Sequence, residues 1–470
     1  MFKPVNLFYE MSGRQRALGF GGIGAIHTLV NRLGLDEALN DKVQLLRFHL
    51  PYHESDHILN MAYNVMTGGT CLEDIERLRQ NETYTNALGA ERIPDPTTAG
   101  DFLRRFDRTD LDQLQEAINQ TRQKVWKQQK APFREEAILD VDGTMAPTTG
   151  ECKQGMDISY DGQWGYAPLV ITLAQTKEVL YLVNRPGNQP SNTEAAPWMD
   201  QALKLVAPHF AKVWLRGDTD FSLTKHLDRW DERAQFVFGY DAKPNLNALA
   251  EELSQSPWTP LNRPARYPVK TKPRRKPENV KERIVREREY KNIRLQSEQV
   301  AEFQYQPTHC KKSYRMVVVR KNLSVEKGEQ RLFDEIRYFF YLTNNRTMTA
   351  SEIVFFANDR GDQENILAQL KSGIDALHLP SGDLLSNWAY MICAALAWNL
   401  KAWYGLLAPD PATGWAIVRM EFKRFLLSYI FIPCQIITGG RRLKFRILTY
   451  TDQLRAFLKT YEAIRGLCLT

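Results

Sequence analysis

Between residues 135 and 240 short apolar runs alternate with stretches of helical spacing, and this alternation constrains the chain more than any other feature. EEAILDV, PLVITLAQ and EVLYLVN come first, and a helical stretch follows over Ala195–Val206. KVWLRGD, a further helix from Phe221 and QFVFGY complete the series. Runs this short cannot close a core alone. Strands followed by alternating strands and helices predict an α/β sheet.

Two of these runs end in acids. In LDVDGT, Asp140 and Asp142 are two apart and therefore share one face of a strand. VWLRGDTDF ends a later strand with Asp218, followed by Asp220. Open α/β sheets bind ligands outside the carboxyl ends of their strands, where these acids fall. A third acid, Glu364, lies in the helical stretch NDRGDQENILAQLKSG, with Arg360 four residues before it and Lys371 seven after. On a continuous helix those offsets put all three near one face. Gly361 weakens the helix there and predicts an irregular turn at Arg360. Three separated carboxylates suit two magnesium ions, which prefer oxygen ligands and can act together on a phosphodiester. Asp140 reads as structural and Asp220 as a helix cap before Phe221. A register shifted by two would make either of them the ligand.

The flanks have a different texture. Residues 1–130 read as helical, with helices over 24–39 and 72–79 and a third after PDPTTAGDFLRRF. In the third, Thr97 or Thr98 can cap the start, and Phe102, Leu103 and Phe106 lie on one face. Short helices joined by tight turns suit a helix-turn-helix-like DNA-binding unit and an ordinary helical bundle equally well. Arg104 and Arg105 stand where a recognition helix would meet phosphate. From 263 to 294 there are 13 Lys/Arg against 4 Glu, a local net of +9, and Pro264, Pro268, Pro273 and Pro277 exclude helix from the first half. This predicts an extended, phosphate-binding arm with Arg274, Arg275 and Lys276 at its centre. YRMVVVR and IRYFFYL then read as strands. Helix resumes at TASE, a capping box with Thr349 as N-cap and Glu352 at its third position. Residues 384–404 are apolar all round and should be buried, and the tail carries RRLKFR.

A chain of 470 residues with 43% hydrophobic and 25% charged residues should form two to four structural units. The net charge of +7 favours a polyanionic partner only because it is concentrated locally. The six cysteines are scattered without zinc spacing, and none of the eight histidines sits in a paired metal motif, so neither residue type receives a role. The N-terminal sequence lacks the apolar core of a signal peptide. The longest apolar run, from Trp388 to Trp398, is about half a membrane span. A cytoplasmic protein is expected.

LDVDGT, RGDTDF and the Arg-x3-Glu-x6-Lys helix together resemble the signatures of DDE transposases of bacterial insertion sequences. The branch is the one whose third acid lies in a Tyr-x2-Arg-x3-Glu-x6-Lys pattern. The resemblance covers about 130–405, and Ala357 stands at the tyrosine position, preceded by Phe355 and Phe356. It implies a ribonuclease H-like α/β catalytic core over 131–240 and 345–405, split by a basic β-rich insertion over 241–344. An all-α DNA-binding domain over 1–130 and a mainly helical C-terminal region over 406–470, for DNA contact or dimerisation, would flank it. Asp142, Asp218 and Glu364 would be the catalytic acids and hold two Mg2+ ions, with Mn2+ able to substitute, while Arg360 and Lys371 would contact DNA phosphate. The implied activity is cut-and-paste transposition on double-stranded DNA, the terminal inverted repeats and the target, by a homodimer in the bacterial cytoplasm at the nucleoid.

DVDGT also opens haloacid-dehalogenase-like phosphatases, in which Asp140 would be the nucleophile and Asp142 the general acid/base. Against that reading, Ser222 stands where a second acid is needed, a long segment precedes the motif, and the basic arm has no use. A catalytically inactive DNA-binding protein is the third reading. Neutralising the arm over 263–294 should weaken DNA binding. It should also flatten the dependence of log K on log salt by about 0.9 for each phosphate the arm no longer neutralises. An unchanged slope in a salt titration would show that the arm does not touch DNA.

Overall fold

The computed structural model describes residues 16–49, 51–253, 257–263, 278–440 and 442–468. Arg274, Arg275 and Lys276, at the centre of the basic arm, lie outside the described residues. The chain divides into two units. One comprises Met1–Arg134, Gly143–Pro190 and Gln363–Thr470, the other Glu135–Asp142 and Ser191–Asp362.

In the second unit, Glu136–Gly143 pairs in parallel with Lys212–Gly217, which pairs in parallel with Gln235–Tyr240. Parallel neighbours need crossover connections. The helices Ala195–Val206 and Thr224–Asp231 lie in those connections. The second helix starts at Thr224, not at Phe221 as expected, because Phe221 is drawn into the core as the end of a 3-10 turn over Thr219–Phe221. Gln330–Thr343 adds antiparallel to Gln235–Tyr240, and Tyr314–Lys327 and Lys291–Tyr305 continue the sheet antiparallel. Gly328 turns one hairpin with φ +60°, a backbone state that a side chain disfavours. Val317, Val318, Val319, Phe340 and Leu342 are buried at the roots of these long strands, whereas Leu332, Phe333 and Ile336 at the far end are exposed. The described end of the basic arm is extended only from Lys291, where the strand Lys291–Tyr305 begins. Val280–Glu287 is a helix capped by Asn279, because its charges pair along the helix, Arg283 to Glu287 at 3.1 Å. The capping box at Thr349 and Glu352 forms as expected and starts the helix Ala350–Asn358. That helix lays Ile353 and Val354 on Trp214, Val237, Val317 and Val319.

The first unit is mostly helical. The stretch 24–39 is two helices, Ile23–Leu33 and Leu35–Lys42, broken at Gly34, whose φ is +62°. The stretch 72–79 opens as a 3-10 turn before the helix Ile75–Arg79. The helix Pro96–Leu103 is capped by Asp95, not by Thr97 or Thr98. The Asp95 carboxylate accepts from the Thr98 amide at 2.9 Å, and Pro96 occupies the first helical position, where no donor is needed. Phe102, Leu103 and Phe106 are buried. Two long helices, Glu54–Met66 and Arg108–Lys127, were not singled out by sequence. The tail adds a hairpin to its helices, Cys434–Gly439 with Arg442–Ile447, so RRLKFR runs largely on a strand.

Leu384–Leu406 is buried over almost its whole length, as its all-round apolar sequence requires. It packs against Glu54–Met66, Arg108–Lys127, Pro411–Arg419 and the strand Glu178–Val183. No helix among the described residues is long and apolar enough to cross a membrane. One charged pair sits inside this packing. Glu178 and Arg122 are both fully buried and meet at 2.9 Å. The indoles of Trp126 and Trp403 donate to Glu178 at 3.0 and 2.7 Å, which satisfies both carboxylate oxygens. A buried charge is tolerable only when paired and hydrogen-bonded. Arg122→Ala should therefore cost about 3–5 kcal/mol. Urea unfolding checks this, and a change near zero would mean that the pair contributes nothing to this core.

Candidate active site

The site of the second unit is built on one buried ion pair. Asp140 and Arg216 are register partners across the parallel strands Glu136–Gly143 and Lys212–Gly217. Arg216 donates from Nε to one Asp140 oxygen at 2.5 Å and from Nη2 to the other at 2.8 Å. Asp140 is 0% and Arg216 3% exposed. The remaining guanidinium nitrogen, Nη1, donates to the Phe356 carbonyl at 2.7 Å, and the guanidinium lies over the Phe356 ring. Three segments of chain are thus locked by one side chain. Burial pushes the Asp140 carboxyl up, and the guanidinium opposes that shift.

Two residues beyond each partner stand Asp142, on the same face of its strand, and Asp218, the residue directly after its strand. The structure brings them together. Arg360 Nη1 donates to Asp142 Oδ2 at 3.2 Å and to Asp218 Oδ2 at 3.3 Å. All three side chains are partly open to solvent. Asp218 Oδ1 also accepts from the Asp220 amide at 3.0 Å. Asp218 therefore caps the 3-10 turn itself. The expectation that Asp220 would be the cap is corrected, because the chain tightens directly after the strand. Burial raises the Asp218 carboxyl above its ordinary value, Arg360 pulls it down and Asp220 adds to the rise. Two hard oxygen donors converging on one cation are a donor set that fits a divalent metal of the magnesium class.

Arg360, Glu364 and Lys371 do not share one unbroken helix, and the irregular turn expected at Arg360 is present. The helix Ala350–Asn358 ends before Arg360, which lies in a two-residue turn, and Gly361–Ala368 begins a new helix. The weak helix former Gly361 stands at that break. Glu364 is exposed on the new helix, within the first unit. Lys371 lies in a π-helical turn over Gln369–Gly373, where the Ile374 amide reaches back five residues to the Gln369 carbonyl at 2.9 Å. Lys371 thus stands on a wider turn than the 3.6-residue helix that a spacing of seven assumes. Partial burial lowers its ammonium below the ordinary value.

The other expected contacts are dispersed. Arg104 and Arg105 follow the end of Pro96–Leu103 and are exposed. Arg104 is held by Asp101 at 2.5 Å, and Arg105 lines an open groove with Leu46, Tyr52 and His57. Sequence reasoning missed Arg216. Its signal was present, since Arg216 precedes Asp218 by two just as Asp140 precedes Asp142. Tyr341 was missed as well. Its hydroxyl reaches the Asn358 side chain at 3.4 Å, next to Ala357, and lies within the electrostatic influence of Arg360.

A family model described as transposase DDE domain group 1 matches residues 13–468. A comparison with curated proteins found no match. Among solved structures, one that matches is a piggyBac transposase synaptic complex with hairpin DNA, determined by cryo-EM. It is 10% identical with a TM-score of 0.38 and covers 97% of this chain and 83% of that one.

The folded value of Asp218 lies above that of the unfolded chain, so its protonation favours the folded state. That contribution is present in acid and disappears as pH rises through the folded value. Arg360→Gln removes the main opposing cation and should raise the carboxyl further. Carbon-detected NMR titration of the aspartate carboxyls reads the shift, and a fall in Arg360→Gln would overturn the assigned electrostatics.

Proposed function

The chain belongs to the family of DDE-domain transposases, group 1, and is a DDE-type DNA transposase, and we propose that Asp142, Asp218 and Glu364 are its three catalytic acids. The observation that carries the assignment is the convergence of Asp142 and Asp218, from the ends of two adjacent parallel strands, on the single guanidinium of Arg360. Glu364 rests on its place four residues after Arg360 in the sequence pattern.

Two magnesium ions held by these acids, replaceable by manganese, would activate the attacking oxygen and stabilise the leaving one. The chain's own groups do the rest. Asp140 and Arg216 fix the two strand ends. Arg360 balances the carboxylates, and once released from them it can reach the scissile phosphate, with Lys371 as a second phosphate contact. A water oxygen attacks phosphorus at the transposon end, the bond to the 3′ oxygen breaks and a 3′-hydroxyl is freed. That hydroxyl then attacks a phosphodiester of target DNA in the same site, the bond to the target's 3′ oxygen breaks, that oxygen leaves as a 3′-hydroxyl, and the strands are joined. Cut-and-paste transposition of a bacterial insertion sequence follows, on terminal inverted repeats and target DNA. Pairing two ends calls for a homodimer on DNA, in the cytoplasm at the nucleoid.

The same reading assigns 131–240 and 345–405 to a ribonuclease H-like catalytic core and 241–344 to a basic insertion. It assigns 1–130, with Arg104 and Arg105, to DNA binding, and 406–470 to DNA contact or dimerisation. Arg274, Arg275 and Lys276 would hold phosphate. The phosphatase reading needs Asp140 as a free nucleophile. Both its oxygens instead accept from Arg216 inside the core, which favours the transposase chemistry.

Asp142→Asn, Asp218→Asn and Glu364→Gln should each abolish magnesium-dependent cleavage of DNA carrying the inverted repeats that flank the gene. DNA binding should remain close to that of the parent. Asp140→Asn should impair cleavage without removing it. Near-normal cleavage by any of the three acid variants would sink the assignment of that residue.

A further inference from the structure

A second cluster of metal-ligating side chains lies in the first unit. His49, His53 and Glu54 bring one ligand atom each within 4.8 Å of one another. None of these histidines belongs to a paired metal motif in the sequence, and the cluster is visible only in the structure. Glu54 opens the helix Glu54–Met66 and is 0% exposed. Its Oε1 accepts from the amides of Leu45 and Leu46 at 3.1 and 2.9 Å. Its Oε2 is buried, accepts no hydrogen bond among the described residues and faces His49 Nδ1 at 3.3 Å.

The two imidazoles are exposed and stacked, with centroids 5.1 Å apart and planes at 28°. A protonated His49 paired with Glu54 would account for one contact. The ring of His53, the N-cap residue of the helix, stacks on that of His49 and brings a second nitrogen ligand to the same carboxylate. Neutral imidazoles are metal ligands. The separation of 3.3 Å between His49 Nδ1 and Glu54 Oε2 matches the edge of a tetrahedron whose metal–nitrogen and metal–oxygen bonds are about 2.0–2.2 Å. Two imidazoles and a carboxylate select a borderline cation such as zinc, whereas magnesium prefers oxygen alone. The two amides on Glu54 Oε1 supply the outer support that orients a ligating carboxylate.

We propose that His49, His53 and Glu54 form a zinc site, with a fourth position for water, that fastens the segment 43–49 to the start of the helix Glu54–Met66. The site is independent of the acids assigned to DNA cleavage.

The test is calorimetric titration of untagged, metal-free protein with zinc chloride in excess magnesium, which occupies the oxygen-only sites. The full chain should bind one zinc ion. His49→Ala and His53→Ala, both at exposed positions, should each weaken binding roughly tenfold or more. Asp142→Asn should leave zinc binding unchanged. Cobalt in place of zinc should give the intense visible absorption of a tetrahedral ion, abolished in His53→Ala. No zinc uptake by the parent, unchanged affinity in both histidine variants, or failure of Asp142→Asn to bind zinc would each overturn the proposal.

Discussion

The buried pair between Asp140 and Arg216 is the interaction on which the candidate active site depends. A bidentate guanidinium–carboxylate contact has one geometry, so it fixes the register of two parallel strands as well as their separation. The third donor, to the Phe356 carbonyl, ties the helix before Arg360 to the same point. Asp142 and Asp218 stand two residues beyond the pair and Arg360 four beyond Phe356, so all three inherit their positions from it. The pair is expensive to desolvate, and its value lies in specifying one arrangement.

Electrostatics then poise what the pair has positioned. Asp142 and Asp218 are like charges held close at partial burial, and Arg360 makes that tolerable by donating to both. The compensation is incomplete at Asp218, whose carboxyl burial still holds above the ordinary range. A carboxylate pair short of positive charge suits a divalent cation, in keeping with the proposed chemistry.

The first unit solves a similar problem for stability. Glu178 brings charge into the packing around Leu384–Leu406, where Arg122, Trp126 and Trp403 satisfy it. Asn399 adds a second polar tie, accepting from the Val179 amide and donating to its carbonyl at 2.9 and 3.0 Å. Such fully satisfied networks fix which face of an otherwise all-apolar helix meets which neighbour.

The sequence by itself determined the elements whose signal is local. Glu136–Gly143, Lys212–Gly217 and Gln235–Tyr240 were legible as apolar runs, Ala195–Val206 as a helical one, and the start of Ala350–Asn358 from its capping box. Asp142 and Asp218 were legible as candidate acids because strand periodicity is strict. Tertiary structure decided the rest. Phe221 is claimed by the core, so the helix waits until Thr224, and Asp95 outcompetes two threonines as a cap because Pro96 sets the first turn behind it. The irregular turn at Arg360 was legible from Gly361, but its contacts with two carboxylates distant in sequence were not. The partnership of Asp140 with Arg216 depends on strand register, and the meeting of His49 with Glu54 on tertiary packing, which no spacing rule encodes. A sequence reports the chemistry that each residue can offer, and only the packed chain decides which offers meet.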